Sequence, residues 1–597
     1  MRQFAPWLLV LLSAALAVAA YLQALHYPFI SDDISYVVTN KNLADLHLGE
    51  LWRLLVKPYN VGFEFLPLRD LSYWTDLALF GLNPAAFRLH NILLYLLCLP
   101  LVYATTANLW RYFRPTDNAS APWAAATVTA LFAVHPALVE SVVWISGRKY
   151  ILPDFFSLLA LWLAVNTRRE PGLSSRYAMA TLLAFVAVMF SKSSYVGVAP
   201  IIAVLWLRFW LDIPAPQRRR SLLLWPAAIL LLAAFLLWVF IVRNEGFDSV
   251  PTSFGIEPLF RSFSILGGLI RIALSPEARH FFYPVFEDPW LPAMIVLGAI
   301  ALIATGWGAV AFLCRRSFSG FVLLVFLLLC LPYLQLIPTK PPSLVSDRYI
   351  ALAIWPVALL LVMLAWRLKP APRIVLLLLV ALPWCFQTLE RPRDWNDFKT
   401  LVTRDWRTFP GYYVPAFYVL MDDQMHNGRY REATKTANLT KSPEIRNAML
   451  SLIQADYLIR VVSISTGEPD KAVEALLDLG SMFEHPPARA SMDTPMLFIW
   501  LKLYVMQATE WQYLAEKFPD DAYVHYNAGG YFMGVHDYKD AEIHLRAAIA
   551  SQRLAESLRK NACLNLKTIL LETGRPEVAA HAASQCPDHT PGKKTTP

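Results

Sequence analysis

Long apolar runs fill the first two thirds of the chain and end at about residue 389. A helix needs about 20 apolar residues to cross the roughly 30 Å hydrocarbon core of a bilayer, and it satisfies its own backbone hydrogen bonds there. Only 16% of the residues are charged, whereas soluble proteins carry roughly a quarter. The sequence therefore predicts a polytopic membrane protein with about eleven spans. They lie near 7–25, 87–109, 123–143, 149–167, 177–191, 194–212, 222–242, 290–313, 318–337, 349–367 and 374–389.

Basic residues cluster in the loops after every second predicted span, and short basic loops favour the cytoplasmic side. This bias predicts a cytoplasmic N-terminus and places everything after residue 390 on the outer side. The segment 243–289 must then stay outside, and its short apolar stretch, 264–274, is expected to be a re-entrant or interfacial helix. The net charge of +8 comes largely from these loops and does not indicate nucleic-acid binding. The loop residues are Arg111, Arg114, Arg168, Arg169, Arg176, Arg218, Arg219, Arg220, Arg315, Arg316, Arg367, Lys369 and Arg373.

An acidic pair, Asp32-Asp33, follows the first predicted span. Adjacent carboxylates repel each other, but they suit acid and base chemistry on a substrate held at the membrane. Basic residues also fall in or beside the predicted outer loops, where charge near hydrocarbon is costly. They indicate either a site for a lipid-linked phosphate or pyrophosphate, or salt bridges and phospholipid headgroup contacts. These residues are Arg69, Arg88, Arg148, Lys149, Lys192, Lys340 and Arg348.

The polar tail repeats a short pattern in which Gly precedes Ala by five positions. Small and large residues alternate around it with a period of about 34 residues, which resembles stacked tetratricopeptide helix pairs. Such a solenoid has a concave surface that suits an extended peptide, although a structural cap or a dimerisation element is the alternative. A degenerate repeat is expected around 495–517. The pattern occurs at Gly428…Ala433, Gly467…Ala472 and Gly574…Ala579, with a variant at His536…Ala541.

The six cysteines fall into two groups. Four of them, Cys98, Cys314, Cys330 and Cys385, lie in or beside predicted spans and are expected to be inert. Cys563 and Cys586 fall at opposite ends of the last predicted helix pair, ends that meet in an antiparallel hairpin, so a disulfide is feasible in an oxidising compartment. The sequence contains no Cys/His metal motif and no glycine-rich nucleotide loop.

Motifs throughout the chain resemble the transmembrane and tetratricopeptide-repeat O-mannosyltransferases and their bacterial relatives. The first outer loop carries Asp32-Asp33, Leu66-Pro67-Leu68-Arg69 and Phe87-Arg88-Leu89-His90-Asn91. Later come Phe132-Ala133-Val134-His135-Pro136 with Glu140, Gly147-Arg148, Ser191-Lys192 and Asp347-Arg348-Tyr349. The junction Arg391…Trp395…Pro410…Gly428-Arg429-Tyr430 resembles the family's passage from the last span to the first repeat.

The resemblance implies an all-α, GT-C type membrane glycosyltransferase with amphipathic outer-loop helices, followed by a tetratricopeptide-repeat solenoid. The expected domains are a transmembrane domain at 1–389, a linker at 390–410 and a periplasmic repeat domain at 411–590. The short loops suggest a bacterial inner-membrane protein that uses undecaprenyl phosphate as the carrier of the sugar. Lys149 and the few, irregular repeats depart from the family pattern, so the sugar and acceptor of the eukaryotic members do not transfer to this chain.

The implied reaction assigns a role to each candidate residue. Asp32 or Asp33 is the general base that takes the proton of an acceptor hydroxyl. Cations stabilise the polyprenyl-phosphate leaving group, and Arg348, Lys192, Arg148 and Lys149 are the candidates. The expected cavity-lining residues are His135, Glu140, Arg69, His90 and Asn91, and for His135 a backbone-bonded structural role is an equal alternative. A divalent cation between the two aspartates is a minor alternative, because hard cations prefer oxygen ligands.

The sequence is compatible with three functions. The first is O-glycosylation of a secreted or surface protein that the repeats recruit. The second is transfer of a sugar to lipid A, another lipid or a polysaccharide. The third is a non-enzymatic scaffold for envelope or pilus assembly, although a scaffold has no reason to carry costly charge next to lipid.

Overall fold

The computed structural model describes residues 5–55, 65–169, 175–213, 233, 256–275, 280–285, 289–336 and 343–408, most of 419–453 and most of 511–584. The described residues are helical or irregular and contain no strand. The all-α prediction is therefore confirmed. The chain divides into two compact units, Met1–Thr408 and Phe409–Pro597.

Fifteen of the helices in the described part of the chain belong to the first unit. They are α1 (Ala5–Leu22), α2 (Lys41–Ala44), α3 (Pro67–Phe80), α4 (Pro84–Phe113), α5 (Ala121–Ala133), α6 (Leu138–Val143), α7 (Arg148–Asn166), α8 (Ser175–Ser191), α9 (Val198–Asp212), α10 (Ile256–Leu274), α11 (Leu291–Arg315), α12 (Phe318–Cys330), α13 (Ile354–Ala365), α14 (Pro370–Glu390) and α15 (Phe398–Thr408). In the first loop, where amphipathic helices are expected, short helical turns lie at Ile34–Val38, before α2, and at Leu48–Leu55, between α2 and α3.

Five described helices are long and apolar enough to cross a membrane: Ala5–Leu22, Pro84–Phe113, Ser193–Asp212, Leu291–Arg315 and Pro370–Asn396. Three shorter apolar helices cover Arg176–Ser191, Phe318–Tyr333 and Ile354–Ala365. The predicted span 149–167 appears as α7, which begins with Arg148 and Lys149. The predicted span 222–242 lies outside the described residues except for position 233.

The predicted span 123–143 is interrupted in the structure. Helix α5 ends at Ala133 and α6 begins at Leu138. Pro136 lies in the gap, and a proline removes a backbone donor and disfavours helical backbone at the residue before it. The kink exposes backbone groups, and the side chain of His135 bonds to one of them.

Helices α10 and α11 cross at close range. A Cβ added to Gly267 would lie 1.9 Å from the carbonyl oxygen of Met294, and one added to Gly298 would lie 2.1 Å from that of Phe263. Only glycine fits at either position, as is common where membrane helices pack tightly. The apolar stretch expected as a short re-entrant or interfacial segment, 264–274, is thus the second half of a 19-residue helix packed on α11.

The segment 390–410 is expected to be a linker, but its residues up to Thr408 belong to the first compact unit. It forms a turn at Arg391–Asn396 and helix α15, and both belong to the first unit. Trp395 is fully buried and stacks on Trp144 at a ring distance of 5.6 Å. Burial of this ring supplies the apolar contact that fixes the segment.

In the second unit the described helices are α16 (Tyr430–Asn438), α17 (Ala522–Gly534), α18 (Tyr538–Ala550), α19 (Glu556–Glu572) and α20 (Pro576–Ser584). Helices α17 and α18 are consecutive and pack on each other, as do α19 and α20. The alanines of the sequence pattern, Ala433, Ala541 and Ala579, are buried, and each lies in the helix that follows a turn. The occurrence at Gly467 lies outside the described residues, as does nearly all of 495–517.

The same backbone turn precedes each of these alanines. Gly428, His536 and Gly574 have φ angles of +70°, +61° and +73°. In each turn the next residue's N–H donates to the carbonyl five positions back, at 2.7–2.8 Å. This is the glycine-terminated helix end known as a Schellman motif, and it explains why Gly recurs at a fixed distance before Ala.

Replacing His536 with Gly is expected to stabilise this turn by about 1 kcal/mol, because a side chain is strained at positive φ. The measurement is amide hydrogen exchange of α17 and α18 in the full-length protein, which reports local opening free energy. Gly574→Ala is the matched control and should speed exchange in α19 and α20. Slower exchange in Gly574→Ala, or faster exchange in His536→Gly, would contradict this account.

Candidate functional site

The carboxylate of Asp33 joins the loop after α1 to the turn before α7. Its Oδ1 accepts hydrogen bonds from the backbone N–H and the hydroxyl of Ser146, at 2.7 and 2.5 Å. Its Oδ2 accepts from the N–H of Ile30 at 3.1 Å. The side chain is fully buried. Burial raises the pKa of Asp33 from its ordinary value to about 6, and the bonds from Ser146 and Ile30 oppose this rise.

Asp32, the neighbouring residue, has a different environment. Its side chain is 41% exposed, and Oδ2 lies 3.4 Å from the Nζ of Lys149. Ser31, just before it, has a φ of +54°, a conformation that is costly for a residue other than glycine. The two carboxylates therefore face different partners. Asp32 is the one that a substrate can reach, and a cation shared by both would have to displace Lys149 or Ser146.

Arg148 lies fully buried at the start of α7, with its donors directed at α3 and α4. Its Nε donates to Asn91 at 2.8 Å, Nη1 to Asp76 at 2.5 Å, and Nη2 to the carbonyl of Phe87 at 2.7 Å. This geometry departs from the expectation that Arg148 binds the donor phosphate, because its donors are already used inside the protein. Arg148 instead fastens three helices together.

The expected cavity-lining residues on α3 and α4 also have internal partners. Arg69 is fully buried and donates to Asp70, at 2.6 Å from Nη2. Asn91 donates to backbone carbonyls of the segment after α6, including that of Trp144 at 3.1 Å. His90, with a side chain 32% exposed, contacts Asp76 through Nδ1 at 2.9 Å. Of these three, only His90 offers surface to a ligand.

His135 stabilises the kink between α5 and α6. Its Nδ1 accepts from the N–H of Ala137 at 3.2 Å, and in the matching tautomer its Nε2 donates to the carbonyl of Ala273 at 3.0 Å. The ring is fully buried and packs edge-on against Trp384. Of the two roles considered for His135, this geometry fits the backbone-bonded one and not the lining of a cavity.

A second group of buried charges centres on Glu140 and Arg348. Glu140 is fully buried, accepts from the N–H of Arg348 at 3.1 Å, and forms an ion pair with its guanidinium. Asp347 next to it pairs with Arg391 at 3.0 Å and accepts from the hydroxyl of Tyr283 at 2.8 Å. Each of these four buried charges has an opposite charge in contact, which offsets the cost of its burial.

Aromatic rings connect three of the four predicted phosphate-binding residues. The ammonium of Lys192 lies 4.8 Å from the ring of Tyr150, and that ring lies 6.3 Å from Tyr349. The guanidinium of Arg348 is 5.1 Å from the ring of Tyr349. The other end of the cluster is reached through Trp144, whose ring lies 5.8 Å from Arg348 and 5.7 Å from the ammonium of Lys149. A cation is attracted to the face of an aromatic ring, so these rings help to hold the three cations in position.

The structure brings in site residues that the motifs did not single out. Ser146 and Asp76 hold the two sides of the site by hydrogen bonds, and Tyr36 contacts Lys149 with its ring at 4.8 Å. Trp144 contacts both halves of the cation cluster. Only its position beside the Gly147-Arg148 motif could have drawn attention to it. Lys340 lies outside the described residues. In the part of the chain that the structure describes, no three His, Cys, Asp or Glu side chains group as metal ligands do.

The chain is similar in sequence to protein O-mannosyl-transferases. It is 29% identical to the Mus musculus Protein O-mannosyl-transferase TMTC2 over 174 residues, which is 28% of this chain and 20% of the relative. It is 25% identical to the Drosophila melanogaster Protein O-mannosyl-transferase Tmtc1 over 284 residues, which is 45% of this chain and 29% of the relative. The predicted resemblance is therefore confirmed. The match spans less than a third of the length of these curated relatives.

Among solved structures, an Archaeoglobus fulgidus oligosaccharyltransferase, crystallised with a tethered acceptor peptide, aligns with 72% of this chain and 59% of its own. The identity is 15% and the TM-score is 0.37. No protein-family model matches the chain.

Removing Arg348 is expected to destabilise the first unit by roughly 3–5 kcal/mol, because Glu140 would be left buried and unpaired. Arg348→Ala should lower the melting temperature in detergent, and the double variant with Glu140→Gln should recover much of the loss. Arg393→Ala, which breaks an exposed pair with Glu390, is the control and should change little. A single variant as stable as the wild type would show that the pair is not buried as described.

The raised pKa of Asp33 predicts a pH-dependent stability. Because the folded-state pKa is about 6 and the ordinary value is 3.8, its contribution is full below pH 3.8 and is lost as pH rises through about 6. Asp33→Asn lacks this ionisation. Its melting temperature minus that of the wild type should therefore become more positive between about pH 4.5 and 7. A constant difference, or one that falls with pH, would contradict the assignment.

Proposed function

We propose that this protein is a GT-C type membrane glycosyltransferase that moves a sugar from a polyprenyl phosphate to a hydroxyl group of a secreted or surface protein. One observation carries the proposal. A partly exposed carboxylate, Asp32, lies beside Lys149 in a loop between membrane helices, and aromatic rings tie Lys149 to Arg348 and Lys192. The similarity to protein O-mannosyl-transferases supports the same class of reaction.

Asp32 is the general base in this proposal. The acceptor oxygen attacks the anomeric carbon, its proton passes to Asp32, and the bond from that carbon to the phosphate oxygen breaks. A single displacement of this kind inverts the anomeric centre. Lys149, whose Nζ lies 3.4 Å from Oδ2 of Asp32, orients this carboxylate in the loop. Asp33 positions the loop through Ser146 and does not touch the reacting atoms.

The leaving group is an anionic lipid phosphate, and the cation cluster stabilises the charge that develops on it. Lys149, Lys192 and Arg348 are the proposed phosphate ligands. Arg348 is pinned by Glu140 and presents a fixed fork of donors, whereas Lys192 and Lys149 are point charges on aromatic faces. Arg148 is not among the proposed phosphate ligands, because its N–H groups donate to Asn91, Asp76 and the carbonyl of Phe87.

We place the reaction on the periplasmic side of a bacterial inner membrane. The basic loops support this orientation, with the N-terminus in the cytoplasm and the repeats outside. Cys563 is disulfide-bonded, which fits an oxidising compartment for the second unit. Its expected partner, Cys586, lies outside the described residues.

Asp32→Asn is expected to reduce transfer from a polyprenyl-phosphate sugar by about a hundredfold or more, the scale of general-base catalysis. The donor KM should change little, because size and surface are retained. Asp45→Asn, elsewhere in the same loop, is the control and should retain activity. Turnover of Asp32→Asn within a few-fold of the wild type would remove Asp32 from the reaction.

Truncation after Thr408, which removes the second unit, tests whether the acceptor is a protein. If the repeats recruit protein, the truncated enzyme should still glycosylate a short hydroxyl peptide slowly and should lose the full-length protein acceptor, because the second binding site no longer raises local concentration. Equal activity of both forms on the protein acceptor would favour lipid A, another lipid or a polysaccharide. Absence of any transfer by the intact protein would favour a scaffold.

A further inference from the structure

A deep apolar groove lies between α1, α5 and α14, away from the proposed catalytic loop. It has a volume of about 720 Å³. The α1 residues that line it, Leu9, Leu12, Ser13 and Leu16, end six residues before the last residue of α1, and Asp32 follows ten residues after that end. The groove is therefore separate from the site described above. Other lining residues include Trp123, Leu131, Trp366, Arg373, Leu377 and Cys385.

One charged residue stands at the end of this apolar surface. Arg373, in the first turn of α14, lines the groove, and the described lining includes no acidic residue. Its guanidinium lies 4.5 Å from the ring of Trp366, and Nη2 donates to the carbonyl of Leu368 at 3.1 Å. Its Nε is shielded from solvent and has no hydrogen-bond partner among the described residues. No carboxylate of the described residues forms an ion pair with this guanidinium, so its positive charge is open to an anion from outside the protein.

A second cation reinforces the positive charge at this end. The guanidinium of Arg114 lies 4.4 Å from the ring of Trp110, and that ring lies 5.9 Å from Trp366. Tryptophan and arginine at the end of a membrane helix are typical of the headgroup level of a bilayer. The lip of the groove therefore suits an anion at that level.

The length of the groove indicates what lies along it. From Arg373 to Cys385 helix α14 rises about 18 Å, at 1.5 Å per residue. One leaflet of hydrocarbon is about half of the roughly 30 Å core. The groove thus matches one acyl chain that starts from a headgroup, and it is too short for a partner's transmembrane helix.

We propose that this groove binds an anionic phospholipid, with the phosphate at Arg373 and an acyl chain along α1, α5 and α14. The polyprenyl donor is a poor occupant. From Leu9 to the end of α1 is about 20 Å along the helix, so a lipid with its phosphate at Arg373 cannot present that phosphate to Asp32. The proposal concerns a second lipid site and does not rest on the proposed catalytic function.

Native mass spectrometry of the full-length protein in detergent tests this assignment by titration with phosphatidylglycerol and, separately, with phosphatidylcholine. The wild type should retain one phosphatidylglycerol more tightly than phosphatidylcholine. Arg373→Ala should weaken phosphatidylglycerol binding about tenfold, since hydrogen bonds to charged groups are the stronger class. Arg373→Lys should recover part of the loss. Arg111→Ala, which removes a charge nearby but outside the groove lining, is the control and should bind as the wild type does.

Variants that fill the groove distinguish lipid binding at this site from a general attraction of anionic lipid to basic residues. Ala381→Trp and Ala130→Phe each place a large side chain on the lining from a different helix. Whichever variant retains the wild-type melting temperature should lose the bound lipid while keeping Arg373. Equal binding of phosphatidylglycerol by Arg373→Ala and the wild type would overturn the proposal, as would equal binding of the two phospholipids. Displacement of phosphatidylglycerol by an equal amount of undecaprenyl phosphate would assign the groove to the donor instead and would also overturn it.

Discussion

The geometry of the site depends on the hydrogen bonds between Asp33 and Ser146. They fix the loop after α1 against the turn before α7, although these segments are more than a hundred residues apart in the chain. The turn itself requires Gly147, because a Cβ there would lie 2.7 Å from the carbonyl oxygens of Glu140 and Ser141. Once both are in place, Asp32 and Lys149 are neighbours. The three hydrogen bonds fix the Asp33 carboxylate in place, and the burial that comes with them raises its pKa.

The cations around this loop divide into two kinds. Arg69 and Arg148 are fully buried and spend their donors on carboxylates and carbonyls of α3 and α4. Lys149 pairs with the partly exposed Asp32, Lys192 lies over the ring of Tyr150, and Arg348 joins the buried Glu140 to the ring of Tyr349. The buried pairs of Arg69 and Arg148 hold the helices together, and the other three cations are the phosphate ligands of our proposal. Breaking a buried pair is costly, so loss of activity in an Arg148 variant would report on folding before it reported on catalysis.

Much of the fold could be predicted from the sequence, because the length of an apolar run is set by the thickness of a bilayer. The break at His135-Pro136 interrupts a span that the sequence analysis predicts as continuous, and its stabilisation by Ala273 depends on a contact between distant residues. The turns before Ala433 and Ala579 are marked in the sequence by Gly428 and Gly574, and the turn before Ala541 by the variant residue His536. The packing of Trp395 in the first unit was hidden, because the surrounding residues are polar enough to read as a linker.

The candidate site shows the same division. Motifs identified Asp32, Lys149, Lys192 and Arg348, since charge beside a membrane span is unusual enough to be noticed. They could not separate Asp32 from Asp33, because exposure depends on which carboxylate finds donors in the turn at Ser146. They also could not show that Arg148 is occupied, since its partners come from two other helices.

The most direct test of the account is the accessibility of position 32. In a variant with Cys314→Ser and Cys385→Ser, Asp32→Cys should react with a membrane-impermeant maleimide added to the outer face of intact spheroplasts. Polyprenyl phosphate should protect it, because the phosphate is expected beside Lys149. Asp45→Cys, in the same loop, should react on the same side without protection. Reaction of position 32 only after the membrane is permeabilised, or reaction that polyprenyl phosphate does not slow, would contradict the proposed site.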